Sequence, residues 1–187
     1  MARKIINSTF MTLDGGVENP HLWPSLGDQG SQESHAIQDA LLQDCDAILM
    51  GRKTYESFAA VWPTRSGDRF ADRMNSMRKY VASSTLKDPV WNNTTVVGAD
   101  VVQAMRRIKN EPGKSIVQYG LGAVSFALMK EGLIDDLRLW MYPLLLGSAG
   151  PQLPHFLKCA PTRFDLSGTR TLPNGIVVLS YRPHPAE

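Results

Sequence analysis

Gly51, Arg52, Lys53 and Thr54 bring together the chain's most suggestive chemistry, directly after the apolar run Ala47-Ile48-Leu49-Met50. Gly51 permits a tight turn and lets another group approach the backbone closely. A helical pattern marked by Tyr55, Phe58 and Ala59 follows, so free N–H groups and a positive dipole end face the turn. Arg52 and Lys53 add charge-assisted donors at the same place, each such bond worth roughly 1.5–3 kcal/mol. Together these features suit the holding of a phosphate. Taken alone, two cations at a turn are equally what a solvated surface offers.

A second turn of the same kind lies downstream. Ser115-Ile116-Val117-Gln118-Tyr119 reads as a buried strand and runs straight into Gly120-Leu121-Gly122, followed by a helix with Val124, Leu128 and Met129 on its apolar side. Glycines at a strand-to-helix turn let a pyrophosphate lie against the main chain. The full dinucleotide fingerprint is incomplete, because Ser125 stands where Gly or Ala is expected. Two such turns suit a ligand carrying two separated phosphate groups.

Alternating strands and helices must position these turns. Lys4 to Thr12 is the first expected strand, and Leu13 to Gly30, rich in Gly, Pro, Asn and Asp, is a long loop of the kind often given to function. Ser31 or Ser34 caps a helix with Ile37, Ala40 and Leu41. Strands follow at Asp46 to Met50, Lys79 to Ser83 and Thr94 to Val97, and Asp100 caps a helix with Val101, Met105 and Ile108 on one face. Beyond Gly132 the pattern changes to Leu137 to Leu146, Phe164 to Thr171 and Ile176 to Tyr181, strands without intervening helices. Asn174-Gly175 suits the positive φ of a hairpin turn between the last two. The expected fold class is α/β, a mainly parallel sheet covered by helices with antiparallel strands at its C-terminal end.

Composition agrees with one globular domain over residues 1–187. The 43% hydrophobic and 20% charged content is ordinary, and 187 residues bury a core without disulfides or metals. A formal net charge of +2 without a Lys/Arg run gives no reason to expect nucleic acid or a membrane surface as partner. The longest apolar stretch, around Leu139 to Leu146, is too short to span a bilayer, and no signal-peptide core follows Met1-Ala2-Arg3-Lys4. A cytoplasmic location is expected, with Cys45 and Cys159 as reduced structural thiols and no metal-binding spacing of Cys and His. The apolar Leu139-Trp140-Met141-Tyr142 and Leu144 to Leu146 suggest a homodimer interface, or else a strand buried in the middle of the sheet.

Gly51-Arg52-Lys53-Thr54-Tyr55-Glu56-Ser57, Tyr80-Val81-Ala82-Ser83-Ser84-Thr85-Leu86 and Gly120-Leu121-Gly122 resemble, in order, the cofactor motifs of the dihydrofolate reductase superfamily. Thr12-Leu13-Asp14-Gly15 and Gly132-Leu133-Ile134-Asp135-Asp136-Leu137-Arg138-Leu139, with Pro143 and Leu146-Gly147, resemble one branch of it. That branch is the C-terminal reductase domain of the bifunctional riboflavin-biosynthesis deaminase-reductase, with its stand-alone relatives. The resemblance covers nearly the whole chain and implies the three-layer dihydrofolate reductase-like fold.

The activity implied is NADPH-dependent hydride transfer to a small heterocyclic, carbonyl or imine substrate. In that reading Gly51, Arg52, Lys53 and Thr54 hold phosphate, Ser83 and Ser84 with Arg52 meet the 2′-phosphate, and Gly120, Leu121, Gly122 and Ala123 offer N–H groups to the pyrophosphate. Asp14, Glu33 and His35 are the candidate proton donors, and Trp23 and Trp62 could wall an aromatic pocket. Each has an ordinary structural role available, Asp14 as a turn aspartate and Glu33 as a helix-start carboxylate. The first-helix carboxylate of a true dihydrofolate reductase falls, counting back from Gly51, at about His35. Dihydrofolate is therefore the lesser expectation beside a 5-amino-6-(5-phosphoribosylamino)uracil reductase-like activity. That substrate's phosphate asks for basic groups, and the Asp14 to Ser31 loop offers only His21. A nucleotide-binding dimer without turnover is the reading from another class.

Overall fold

A computed structural model describes residues 2–147 and 161–184. Among the described residues, eight strands form one sheet in the order β4-β3-β2-β5-β1-β6-β8-β7. They are β1 (Ile5–Thr12), β2 (Cys45–Gly51), β3 (Arg78–Ala82), β4 (Thr94–Gly98), β5 (Ser115–Tyr119), β6 (Asp136–Tyr142), β7 (Phe164–Thr171) and β8 (Val177–Pro183). From β4 across to β6 every pairing is parallel. β8 then pairs antiparallel with β6, and β7 antiparallel with β8. The architecture is the expected α/β one, a mixed and mostly parallel sheet with antiparallel C-terminal strands.

Alternation along the central strands divides the core in two. Ile6, Ile48, Met50, Val81 and Val117 pack with Leu41 and Leu42 of α1 (Ser31–Gln43), Tyr55 of α2 (Arg52–Ala59) and Met74 of α3 (Arg69–Ser76). Ile5, Ala47, Leu49 and Ile116 pack on the other face with Met105 and Ile108 of α4 (Val101–Lys109) and Leu128 of α5 (Ala123–Lys130). Three layers result because each central strand is apolar on both sides, as parallel strands covered by helices must be.

The pattern in the sequence does not announce α3. Its eight residues include only Phe70, Ala71 and Met74 as apolar anchors, yet Asp68 caps it by accepting the N–H groups of Phe70 and Ala71 at 2.9 and 3.1 Å. The hairpin turn also differs in detail: Gly175 has φ +83° while Asn174 keeps a negative φ. β6 ends at Tyr142 and is paired on both sides, by β1 and by β8. Of its apolar run, Leu137 and Trp140 are buried, Leu139, Met141 and Tyr142 are half-buried, and Leu144 to Leu146 follow the strand with Leu145 exposed. Cys45 is buried, and burial pushes its thiol up to about 12, so it stays protonated and inert. Cys159 lies outside the described residues.

Candidate active site

Met50 of β2 and Tyr119 of β5 are register partners, so the two glycine turns that follow them stand side by side at one edge of the sheet. After β2 the chain turns through α2 toward β3, and after β5 it turns through α5 across β1 to β6. The two connections leave in opposite directions. Open α/β sheets bind their ligands in the crevice at such a switch point. A cavity of about 1170 Å³ opens there.

Gly51, Arg52, Lys53 and Thr54 line one side of it and Gly120, Leu121, Gly122 and Ala123 another. The sequence suggests both groups as phosphate-holding turns, and the fold sets them against one cavity. Gly120 has φ +87°, and a Cβ there would stand 2.8 Å from Thr54 Oγ1. Glycine is needed at this point because the two turns touch. Arg52 extends across the rim, its guanidinium donating to Glu56 Oε1 at 2.7 Å and to Thr85 Oγ1 at 2.6 Å. The Thr85 contact joins α2 to the loop after β3. Ser83 and Ser84 belong to that loop but do not line the cavity. Ser83 Oγ accepts the N–H groups of Thr85 and Leu86 at 3.1 and 2.9 Å, which fixes the loop, and Ser84 is exposed.

The three candidate proton donors separate. His35 lines the cavity. Glu33 is exposed in the first turn of α1 and does not. Asp14 stands outside as well, and its carboxylate is already engaged: Thr12 donates its hydroxyl at 2.5 Å, and Leu146 and Gly147 donate their N–H groups at 2.9 and 2.8 Å. These bonds, the Thr12 hydroxyl foremost, hold the Asp14 carboxyl below its ordinary pKa. Asp14 is thus a staple between two loops. Of the tryptophans, Trp62 lines the cavity, while Trp23 packs edge-on against Tyr142 with centroids 5.2 Å apart.

Several lining residues were not singled out from the sequence. Gln38 and Asp39 follow His35 on α1 at helical spacing and share its face, a relation the period of 3.6 could have revealed. Phe58, Phe70 and Tyr119 join Trp62 in an aromatic wall, with Phe58 and Tyr119 centroids 5.4 Å apart and Trp62 and Phe70 likewise. Burial raises the Tyr119 hydroxyl pKa, keeping it a neutral phenol. Arg65 and Arg69, exposed at the rim, supply the basic pair that the loop before Ser31 lacks, and Arg65 lies 5.3 Å from the Trp62 ring centroid. No local motif announces these two, since they reach the cavity only through α3 and the turn before it. Val17, Glu18, Asn19 and Pro20 of the long loop close the remaining side.

Known proteins with the same architecture include a pyrimidine reductase-like protein of Corynebacterium diphtheriae, at TM-score 0.66 and 14% identity, over 98% of this chain and 93% of that one. A diaminohydroxyphosphoribosylaminopyrimidine deaminase/5-amino-6-(5-phosphoribosylamino)uracil reductase of Thermotoga maritima matches at TM-score 0.64 and 15% identity. The match takes in 98% of this chain but only 57% of that longer protein. In sequence, the uncharacterized protein YyaP of Bacillus subtilis strain 168 is 25% identical over 190 residues, spanning 96% of this chain and 94% of its own length. The family model of the RibD C-terminal domain matches residues 3–178, from before β1 into β8 and across both glycine turns, and the chain is therefore a member of the RibD C-terminal domain family.

Proposed function

We propose that the protein is an NADPH-dependent reductase of a planar nitrogen heterocycle carrying an anionic arm, of the 5-amino-6-(5-phosphoribosylamino)uracil type. The observation that carries this reading is the meeting of two anion-ready turns, Gly51–Thr54 and Gly120–Ala123, over one cavity. The volume of about 1170 Å³ exceeds the usual range for one drug-sized ligand, roughly 300–1,000 Å³, and suits a dinucleotide with a substrate beside it. NADPH, when bound, supplies a hydride to an electrophilic carbon of the substrate.

The chain's own residues do the rest. Arg52 and Lys53 meet phosphate charge at the α2 end, with Ser84 and Thr85 beside Arg52 as further donors to a 2′-phosphate. Main-chain N–H groups of Leu121, Gly122 and Ala123 serve the pyrophosphate. The aromatic wall of Phe58, Trp62, Phe70 and Tyr119 takes the heterocycle and keeps water from it. Arg65 and Arg69 hold the anionic arm at the rim. His35 delivers the proton, with Asp39 one helical turn further on. The protein in this reading works as a homodimer, supported by the half-buried apolar pairs Leu139 with Leu179 and Met141 with Val177 on one face of β6 and β8.

Calorimetry with NADPH and with NADH, followed by NADPH absorbance in the presence of 5-amino-6-(5-phosphoribosylamino)uracil, tests the assignment. Tighter binding of NADPH and its consumption are expected. Absence of NADPH binding overturns the cofactor assignment, and binding without consumption returns the protein to a nucleotide-binding role. Light scattering checks the dimer, which a monomeric mass refutes.

A further inference from the structure

Beneath the Gly120-Leu121-Gly122 turn the sheet carries a polar cluster where parallel strands are ordinarily apolar. Asn7 of β1 and Gln118 of β5 are register partners, and with Ser125 of α5 they are at most 1% exposed. Thr9 Oγ1 donates to Asn7 Oδ1 at 2.9 Å. Asn7 Nδ2 donates to Gln118 Oε1 and, at 2.9 Å, to the Gly120 carbonyl. Gln118 Nε2 donates to the same carbonyl at 2.8 Å and to Ser125 Oγ at 2.9 Å. The Ser125 hydroxyl reaches both that carbonyl, at 2.9 Å, and Gln118 Oε1, at 3.1 Å, and its one proton serves either. Three buried side chains converge on one backbone oxygen.

The Gly120–Leu121 peptide is trans, so its N–H points opposite to its C=O. With the carbonyl held down into the sheet, the Leu121 N–H is turned the other way, toward the cavity that Gly120, Leu121 and Gly122 line. Among the described residues this N–H has no acceptor. An unpaired main-chain donor at a buried residue is uncommon and calls for a partner. Leu121 is 6% exposed, and its donor faces a space with room for one. A flipped peptide would lose the bonds that this carbonyl accepts from the buried side chains and aim a carbonyl oxygen at the phosphate position. Both ends of the peptide therefore favour the same orientation.

We propose that Asn7, Gln118 and Ser125 are positioning residues that lock the Gly120–Leu121 peptide, so that the Leu121 N–H donates to a pyrophosphate oxygen of the bound dinucleotide. This inference rests on the dinucleotide reading given above. It also accounts for the departure from the usual fingerprint: Ser125, where Gly or Ala is expected, contributes a hydroxyl to the lock.

Amide NMR of the isotope-labelled full chain, titrated separately with inorganic pyrophosphate, NADPH and adenosine 2′-monophosphate, tests it in the wild type, Ser125→Ala and Asn7→Leu. The Leu121 amide resonance shifts with pyrophosphate in the wild type. Each variant weakens pyrophosphate and NADPH by about tenfold or more and leaves adenosine 2′-monophosphate, which meets only the Arg52 side, unchanged. A Leu121 amide indifferent to pyrophosphate overturns the proposal, as does undiminished pyrophosphate binding in Ser125→Ala. Equal loss of adenosine 2′-monophosphate also overturns it, because general loosening then explains the result. Should Asn7→Leu not fold, the wild-type titration and Ser125→Ala decide. If pyrophosphate moves Leu121 and the variants blunt it while NADPH does not bind, the positioning role stands and the coenzyme assignment falls.

Discussion

Lys79 Nζ lies 4.4 Å from the ring centroid of Trp91, and both side chains are almost wholly buried. The ammonium donates to the Asn75 carbonyl at 2.6 Å in the last turn of α3 and to Asn92 Oδ1 at 3.4 Å, and no carboxylate faces it among the described residues. Burial accordingly lowers its pKa from the ordinary 10.5 to about 8. The unfolded chain therefore holds this proton more tightly than the folded one. Stability gains as pH rises from about 8 toward 10.5, by something of the order of 2–3 kcal/mol, and is unaffected by this group below about 8. Thermal melts are expected to show that rise in the wild type and not in Lys79→Met. An identical pH profile in both proteins would show that the buried amine is not its source.

Arg52 is half-exposed, and its bond to Glu56 spans one helical turn at the surface, a pair worth only about 0.3–0.5 kcal/mol. Arg52→Ala should then leave the melting temperature nearly unchanged while weakening NADPH much more than NADH. Calorimetry with both coenzymes checks this. Equal loss for the two removes Arg52 from 2′-phosphate recognition and leaves it a general phosphate contact.

Gly120→Ala tests the contact between the two turns. Alanine at φ +87° pays about 1–2 kcal/mol for its left-handed backbone, and its Cβ would stand 2.8 Å from Thr54 Oγ1. Thr54 must rotate or the loop must move. The expected result is a lower melting temperature with NADPH affinity reduced by about tenfold or more. Wild-type affinity in this variant would mean that the turns need not touch to bind.

The central strands were legible because parallel strands covered on both faces must be apolar throughout: β5 has the bounds that the sequence suggested, and β2 differs by one residue at each end. β7, an exposed antiparallel strand at the edge of the sheet, also has the suggested bounds. Both glycine turns were legible for a local reason, since strand, glycine and helix follow one another in the chain. Arg65, Arg69 and Tyr119 were not, because only the fold brings them to one cavity, the two arginines through α3 and the turn before it and Tyr119 by the insertion of β5 between β1 and β2. No sequence spacing encodes that insertion. Asp14 shows the opposite case: its local Asp-Gly-Gly signature suited a turn aspartate, but no local pattern announced that the distant N–H groups of Leu146 and Gly147 would engage its carboxylate.

Asp14→Ala separates that structural role from a catalytic one. The folded-state pKa of Asp14 is lowered, so its contribution to stability is present above its ordinary value of 3.8 and is lost as pH falls through the lower folded value. The variant should melt a few degrees below the wild type at neutral pH, with the gap closing in strong acid. NADPH affinity should not change. A large loss of turnover with unchanged melting would return Asp14 to the chemistry.

His35 and Asp39 stand one helical turn apart on α1 and line the same cavity, so two groups there can carry a proton. Their assignments differ in a measurable way. If His35 delivers the proton, His35→Gln lowers kcat by about a hundredfold or more with NADPH affinity intact, which is the ordinary worth of a general acid. Asp39→Asn would then act mainly on KM, because its carboxylate only meets donors on the heterocycle. The reverse pattern, kcat falling in Asp39→Asn and not in His35→Gln, makes the carboxylate the proton carrier. That outcome would align this site with the first-helix carboxylate of dihydrofolate reductase, displaced by one turn.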